Sequence, residues 1–387
     1  MRILLVGIGG AGCRIADALA EQDIRSRSLR CIDGIAVDRD AEDLNSLRAI
    51  PQENQIFYQI LDPLHTGKSA GILPHDEIIS RLHTLDPGDI DALVVIAGLG
   101  GEMATLIPDL ITHIRERLFE PVFGLFTLPC TREGEMALAR AANALDPLIP
   151  ILDGILLYDN EIWYERGKSE VVEEPLALGE REFKLPLFRP NTTAVKIPDG
   201  YRGINMLIGR QIGLLLRAGE ASEYPGSEVA EVALDAGEVM NTIRGMGFIA
   251  VGYEREHLPA VNPDLLTRLR PMSHSIQESH LKDLRIVTMA KKAVTEGLSV
   301  SCNISDAEKA LVLIAGPTHE LSMRGYMTVR HWIDRSIHGQ EVRSGDYPLN
   351  TSRYIVVMVV LSGFKHLTRL NKLREIRDRV QLIGKSG

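Results

Sequence analysis

The chemistry in this sequence starts at two glycine-rich turns. Gly7-Ile8-Gly9-Gly10-Ala11-Gly12 follows the apolar run Ile3–Val6, and Gly98-Leu99-Gly100-Gly101-Glu102-Met103-Ala104-Thr105 follows the run Ala92–Ala97. A glycine turn between a strand and a helix lets backbone N–H groups approach a phosphate closely, at a helix end whose dipole favours anions. Two such turns can put two sets of N–H groups on one polyphosphate. Glu102 opposes this, because its carboxylate stands where the second set should hold an anion. A carboxylate about 4 Å from a phosphate costs on the order of 4 kcal/mol at an effective dielectric near 20.

Other residues add base-reading and water-activating chemistry. Tyr201 and Asn205 stand at i, i+4 and share one helix face. The aromatic ring can stack on a base, and the amides of Asn160 and Asn205 can read its edge. Taken singly, Asn160 also reads as a helix cap and Asn205 as an ordinary surface residue. Asp235 and Glu238 stand three apart, and a carboxylate pair can polarise a water for attack on phosphorus. The same spacing describes an N-capping aspartate followed by a first-turn glutamate. Gly7-x-Gly9-x-x-Gly12, with Asp38 and Asp40 ending the next strand, by itself fits a nicotinamide dehydrogenase. That reading leaves the second turn and the Asn160/Asn205 pair without a role. Gly67-Lys68-Ser69 is not a P-loop, since Asp62 stands where the motif needs a glycine.

These residues need a scaffold, and the chain supplies an α/β one. Its 387 residues exceed one ordinary core, so two domains are expected. Strands are predicted at Arg2–Gly7, Gly34–Val37, Ala92–Ala97, Pro121–Leu128 and Gly154–Tyr158. Helices are predicted at Gly10–Glu21, Met103–Leu118 and Glu133–Ala144. Strands apolar throughout and separated by helices imply a parallel sheet covered on both faces. Tyr164–Gly200, with its prolines and charge runs, reads as a surface insertion. Gly203–Gly219 is a long apolar helix, at whose end the domain boundary falls. Beyond it, strands at Phe248–Tyr253, Ser299–Asn303, Leu311–Ala315 and Tyr354–Leu361, with helices near Leu281–Glu296 and His319–His338, imply a mixed sheet. The helical spacing and basic residues of Lys365–Lys385 predict a terminal helix packed on its own domain, with an anionic membrane or acidic partner as the other reading.

Bulk properties narrow the classes. A net charge of −9 argues against a nucleic-acid partner. Cys13, Cys31, Cys130 and Cys302 are scattered without a CxxC pair, as expected of reduced thiols, and give no metal signal. No signal peptide precedes the first strand, and no apolar run approaches the roughly 20 residues a membrane span needs, so a cytoplasmic protein is expected.

The ordered set of turns, amides and carboxylates resembles the tubulin/FtsZ superfamily, and most closely the archaeal tubulin-like CetZ family. The resembling segments are Gly7–Ile15, Ala97–Gly101, Glu120–Pro129, Leu156–Trp163, Ala233–Asn241, Leu311–Pro317 and Glu341–Pro348. The resemblance implies a two-domain fold: a Rossmann-like parallel-sheet GTP-binding domain over 1–200 with its insertion near 164–200, a central helix over 201–222, and an α+β activation domain over 223–387 with an acidic loop at 233–238. It places Gly9, Gly10, Ala11, Gly12, Cys13 and Arg14 at the first phosphate loop. Gly100, Gly101, Glu102, Met103 and Ala104 fall at the second. Glu133 would contact the ribose, Asn160 and Asn205 would read guanine, and Tyr201 would stack on it. Asp235 and Glu238 would activate water.

The implied activity is GTP or GDP binding, with Mg²⁺ as a possible companion, and head-to-tail assembly into filaments that affect cell shape. One subunit's acidic loop completes its neighbour's site. Several positions depart from the family pattern. Glu102, Met103 and Ala104 replace a glycine-threonine-glycine signature, Asp38 and Arg39 an asparagine–threonine pair, Ala233 an asparagine, and Arg132 an acidic residue. Weak or absent hydrolysis is therefore expected, with Arg39, Lys68, Arg132 or a divalent cation offsetting Glu102. A non-hydrolysing interaction protein that regulates a paralogue, or co-assembles with it, is the alternative.

Overall fold

In a computed structural model, the chain is described over residues 1–25, 30–58, 73–85, 88, 90–167, 200–220, 230–258, 272–339, 341–349 and 352–386. Lys68 and most of the expected insertion lie outside these residues. The first half alternates strand and helix: β1 (Ile3–Ile8), α1 (Gly9–Arg25), β2 (Ile32–Asp38), α2 (Ala41–Asn45), β3 (Gln55–Phe57), α3 (His75–Leu85), β4 (Ala92–Gly98), α4 (Ile107–Arg117), β5 (Val122–Leu128), α5 (Glu135–Leu145), β6 (Gly154–Asp159) and α6 (Asn160–Gly167). The long helix α7 (Gly200–Glu220) and α8 (Ala236–Ile243) follow. Then come β7 (Phe248–His257), α9 (Met272–Thr295), β8 (Lys309–Gly316), α10 (Met323–Ser336), β9 (Glu341–Pro348), β10 (Tyr354–Phe364) and α11 (Thr368–Ser386).

The strands form one ten-stranded sheet in the order β3-β2-β1-β4-β5-β6-β7-β10-β8-β9. The part from β3 to β6 is parallel, whereas β10 runs antiparallel to both β7 and β8. Alternation along β1 shows why both faces are covered. Leu4, Val6 and Ile8 enter one buried apolar cluster, and Ile3 and Leu5 enter another on the opposite face. The second cluster also takes Ile15 and Leu19 of α1 with Ile204, Ile208 and Ile212 of α7, so the long helix lies against α1. A polar contact inside this layer, Tyr158 Oη donating to Gln211 Oε1 at 2.9 Å, fixes the position of α7 along β6.

Three expectations need correction. The strand predicted at Ser299–Asn303 does not form. β6 and β7 pair only at Ile155–Phe248 and Leu156–Ile249 before diverging. Ser299 fills the split: its N–H donates to the Val251 carbonyl, its hydroxyl accepts from Val251 N–H, and its carbonyl accepts from Asp159 N–H. The helix predicted from Met103 begins as a 3₁₀ turn over Glu102–Leu106, and α4 starts afresh at Ile107 with Pro108 in its first turn, where a missing N–H costs nothing. The terminal helix α11 does not stay on its own half but packs against α5 of the first half.

Charged contacts hold α11 in that place. Asp146, just past α5, accepts from Arg374 at 2.7 Å, and its other oxygen is paired with Arg377. Burial alone would raise the Asp146 carboxyl, but the two guanidiniums hold it below the usual carboxylate range. A depressed pKa means that the contact contributes stability above the ordinary carboxylate pKa and loses it as pH falls through the folded value. Asp146→Ala should therefore lower unfolding stability by about 1–2 kcal/mol at neutral pH. The difference from wild type should shrink in acid, read by thermal unfolding at neutral and acidic pH.

Candidate functional site

A cavity of about 370 Å³ opens at the C-terminal ends of the parallel strands. This is where open α/β sheets bind ligands, and the volume lies within the usual range for a small-molecule site. The two glycine turns meet there. Gly9, Gly10, Ala11 and Arg14 line it from the start of α1, and Gly98, Gly100, Gly101, Glu102 and Met103 from the second turn. Glu133, Asn160, Tyr201 and Asn205 complete the opposite wall. The sequence places these groups far apart, and the sheet brings them to one space.

The glycines have separable reasons. Gly9 has φ of 68°, the left-handed region that favours glycine, and this turns the chain from β1 into α1. Gly12 lets α1 lie on the sheet, since a Cβ there would stand 2.2 Å from the Ile96 carbonyl oxygen. Gly12 thus serves packing and does not line the cavity. Cys13 and Ala104 also lie off its wall, within the core. The Cys13 thiol is 3.4 Å from the Gly7 carbonyl oxygen and 3.5 Å from that of Val37. Burial, reinforced by Asp38, pushes the thiol's pKa far up, so it is inert at neutral pH.

Charge dominates the end of the cavity formed by the glycine turns. The Glu102 carboxylate pairs with the Arg39 guanidinium at 2.7 Å. Of the two arginines expected to offset Glu102, Arg39 is therefore the one in place. Arg132 instead donates to the Tyr164 hydroxyl at 2.6 Å and lies over that ring. Both members of the Arg39–Glu102 pair are nearly half exposed, so the link is of the weak surface kind, and a stronger anion can displace it. Arg14 similarly pairs with Asp43 at 2.9 Å. Asp38, which also lines the cavity, is buried. Its Oδ1 accepts from Arg39 N–H at 2.7 Å and Asp40 N–H at 3.3 Å, while its Oδ2 has no hydrogen-bond partner. Burial raises its pKa despite the two N–H bonds.

The other end suits a planar polar ligand. Asn160 and Asn205 are both buried on the wall. The cap of α6 is Asp159, whose Oδ1 accepts from Glu161 N–H at 3.1 Å, so Asn160 is not the capping residue. Tyr201, partly exposed at the start of α7, donates to Glu133 at 2.8 Å. The same Glu133 oxygen accepts from Cys130 N–H at 2.8 Å. Burial and then the Cys130 and Glu133 contacts push the Tyr201 hydroxyl far up, keeping it a neutral donor.

Asp235 and Glu238 are not on the cavity wall. Asp235 caps α8 by accepting from Glu238 N–H at 2.7 Å, and Glu238 lies 3.5 Å from Arg343. The capping arrangement is thus what the single chain shows. A residue that sequence reasoning missed is Arg369 of α11. Its Nε is 3.0 Å from Asp159, and another guanidinium nitrogen donates to the Pro129 carbonyl at 2.7 Å. It joins the segments that carry Glu133 and Asn160. No local pattern marks it, because its partners are remote in sequence.

The Tubulin/FtsZ family GTPase-domain model matches residues 2–168, and the tubulin-like CetZ C-terminal-domain model matches residues 195–378. Tubulin-like protein CetZ3 of Haloferax volcanii is 29% identical over 390 residues, covering 98% of this chain and 92% of that protein. The structure of CetZ1 from Haloferax volcanii, a GDP-bound monomer, aligns with a TM-score of 0.73 at 25% identity, covering 98% of this chain and all of that one. A GTPγS-bound protofilament of CetZ2 from the same organism shares the fold, with a TM-score of 0.71 at 24% identity, covering 98% of this chain and 100% of that one.

Removing Arg369 leaves the Asp159 carboxylate, only 4% exposed, without its cation. Arg369→Ala should cost about 3 kcal/mol or more of unfolding stability. It should also accelerate amide exchange over 130–134 and 159–163 before it does so in β1 or β4. Hydrogen exchange with denaturant unfolding measures both.

Proposed function

This chain belongs to the tubulin/FtsZ family and carries a CetZ-type C-terminal domain, and from that premise we propose that its cavity holds a guanine nucleotide, GTP or GDP. The observation that carries the proposal is the convergence of both glycine turns with Asn160, Tyr201 and Asn205 on one cavity. In this reading the N–H groups at Gly9–Ala11 and Gly100–Gly101 receive the phosphates, Glu133 meets the ribose, Tyr201 stacks on the base and the two asparagines read it. In the same reading the residues before α7 form the nucleotide domain, α7 is the central helix, and the residues after it form the activation domain.

Hydrolysis is the weak point of a lone subunit. Asp235 and Glu238 lie off the cavity, so water activation requires a second subunit stacked head to tail. We infer that the protein assembles into filaments contributing to cell shape, with slow or no turnover because Glu102 stands at the phosphate end. A second reading, a non-hydrolysing partner of an intact paralogue, is favoured by the same carboxylate.

The Arg39–Glu102 pair makes this testable. Arriving phosphates compete with Glu102 for Arg39. Glu102→Ala should therefore tighten GTP binding by about tenfold, and Arg39→Ala should weaken it by at least as much. Asp38 adds a pH term. Its raised pKa keeps the carboxyl protonated above the usual carboxylate range, so affinity for the anion should fall as pH rises through that value. Asp38→Asn should flatten the dependence. Calorimetric titration with GTP, with and without Mg²⁺, reads all three. An absence of guanine nucleotide binding at millimolar GTP would overturn the binding proposal. For turnover, phosphate release should appear only at assembling concentrations and vanish in Asp235→Ala.

A further inference from the structure

Away from the cavity, three metal-ligating side chains face one another across two helices. His75 opens α3, while Asp109 and His113 stand at i, i+4 on α4 and share one face. One ligand atom from each lies within 4.8 Å of the other two. The imidazole rings are stacked, with centroids 4.1 Å apart and planes inclined by 21°. His113 Nδ1 lies 2.9 Å from the Asp109 backbone carbonyl, a contact that orients the ring.

The group has an unsettled account as a purely structural cluster. His75 Nε2 is buried without a hydrogen-bond partner, its nearest carboxylate oxygen, Asp109 Oδ2, being 3.5 Å away. A buried polar atom left unpaired costs free energy and is uncommon in native proteins. His113 and Asp109 are accessible from solvent, which gives an ion a path in.

We propose that His75, Asp109 and His113 form a binding site for a divalent transition-metal cation of the zinc class, clamping the start of α3 to α4. Two imidazoles and one carboxylate are a borderline donor set, suited to Zn²⁺ or Co²⁺ and poorly suited to Mg²⁺ or Ca²⁺, which prefer all-oxygen shells. Three protein ligands leave a tetrahedral ion one position for water. The site is separate from the nucleotide reading and does not depend on what the cavity holds. Its place gives it a structural consequence, because α4 is the helix into which the second glycine turn leads.

The test uses the full chain, stripped of metal with a chelator and dialysed. Zn²⁺ titrated against a chromophoric competitor of micromolar affinity should show one bound equivalent that His113→Ala and Asp109→Asn each weaken at least about tenfold. These partly exposed positions keep the test valid if His75→Ala, at a less exposed site, fails to fold. Zn²⁺ should also raise the melting temperature of wild type and not of His113→Ala. Co²⁺ should give ligand-field bands without thiolate charge transfer, and Cys302→Ser should leave them unchanged. No binding against the competitor, equal affinity in the variants, or a thiolate band would each overturn the proposal.

Discussion

The carboxylate of Asp159 sits at the buried end of β6 and cannot stay there ionised without a cation. Arg369 supplies it, and much of the architecture is arranged around that meeting. The residue before Asp159, Tyr158, bonds Gln211 and sets the position of the long helix. The residue after it, Asn160, reaches the cavity wall. The Asp159 N–H donates to the Ser299 carbonyl, which spans the gap where β6 parts from β7. Three consecutive residues thus hold the central helix, the candidate base site and the junction of parallel with mixed sheet.

The same economy appears at the glycine-turn end of the cavity, where one residue, Arg39, meets two acidic ones. The Arg39 guanidinium pairs with Glu102, and its backbone N–H is received by Asp38. The carboxylate in the second glycine turn is therefore not isolated. It is met by a guanidinium from just past the end of β2, across β1 from the end of β4, and the resulting pair is weak enough to open.

The parallel half of the sheet was legible because its strands are apolar throughout and end at glycine turns. Gly9 and Gly100 could be read as turns from this pattern and Tyr201 and Asn205 as sharing one helix face, while their meeting at one site was implied by the family resemblance. What escaped prediction has a common physical origin. β9 carries few apolar side chains and lies at the sheet edge, so its residues show little hydrophobic pattern. Ser299 owes its place to two diverging strands, and Arg369 to a carboxylate on a remote one. Asp235 and Glu238 had two readings of equal spacing, and only geometry showed that the cap is what a single chain forms. Long-range polar contacts leave no local signature, whereas burial and turn chemistry do.

The reach of α11 has a consequence for how the molecule is made. Arg369 bonds the Pro129 carbonyl across 240 residues of chain. While the first half emerges during synthesis, Asp159 lacks its cation, and the segments bearing Glu133 and Asn160 lack the guanidinium that joins them. Closing so long a loop is entropically costly and comes late. The half that bears the cavity therefore acquires its final rigidity only when α11 docks, which makes that docking a checkpoint on the shape of the pocket.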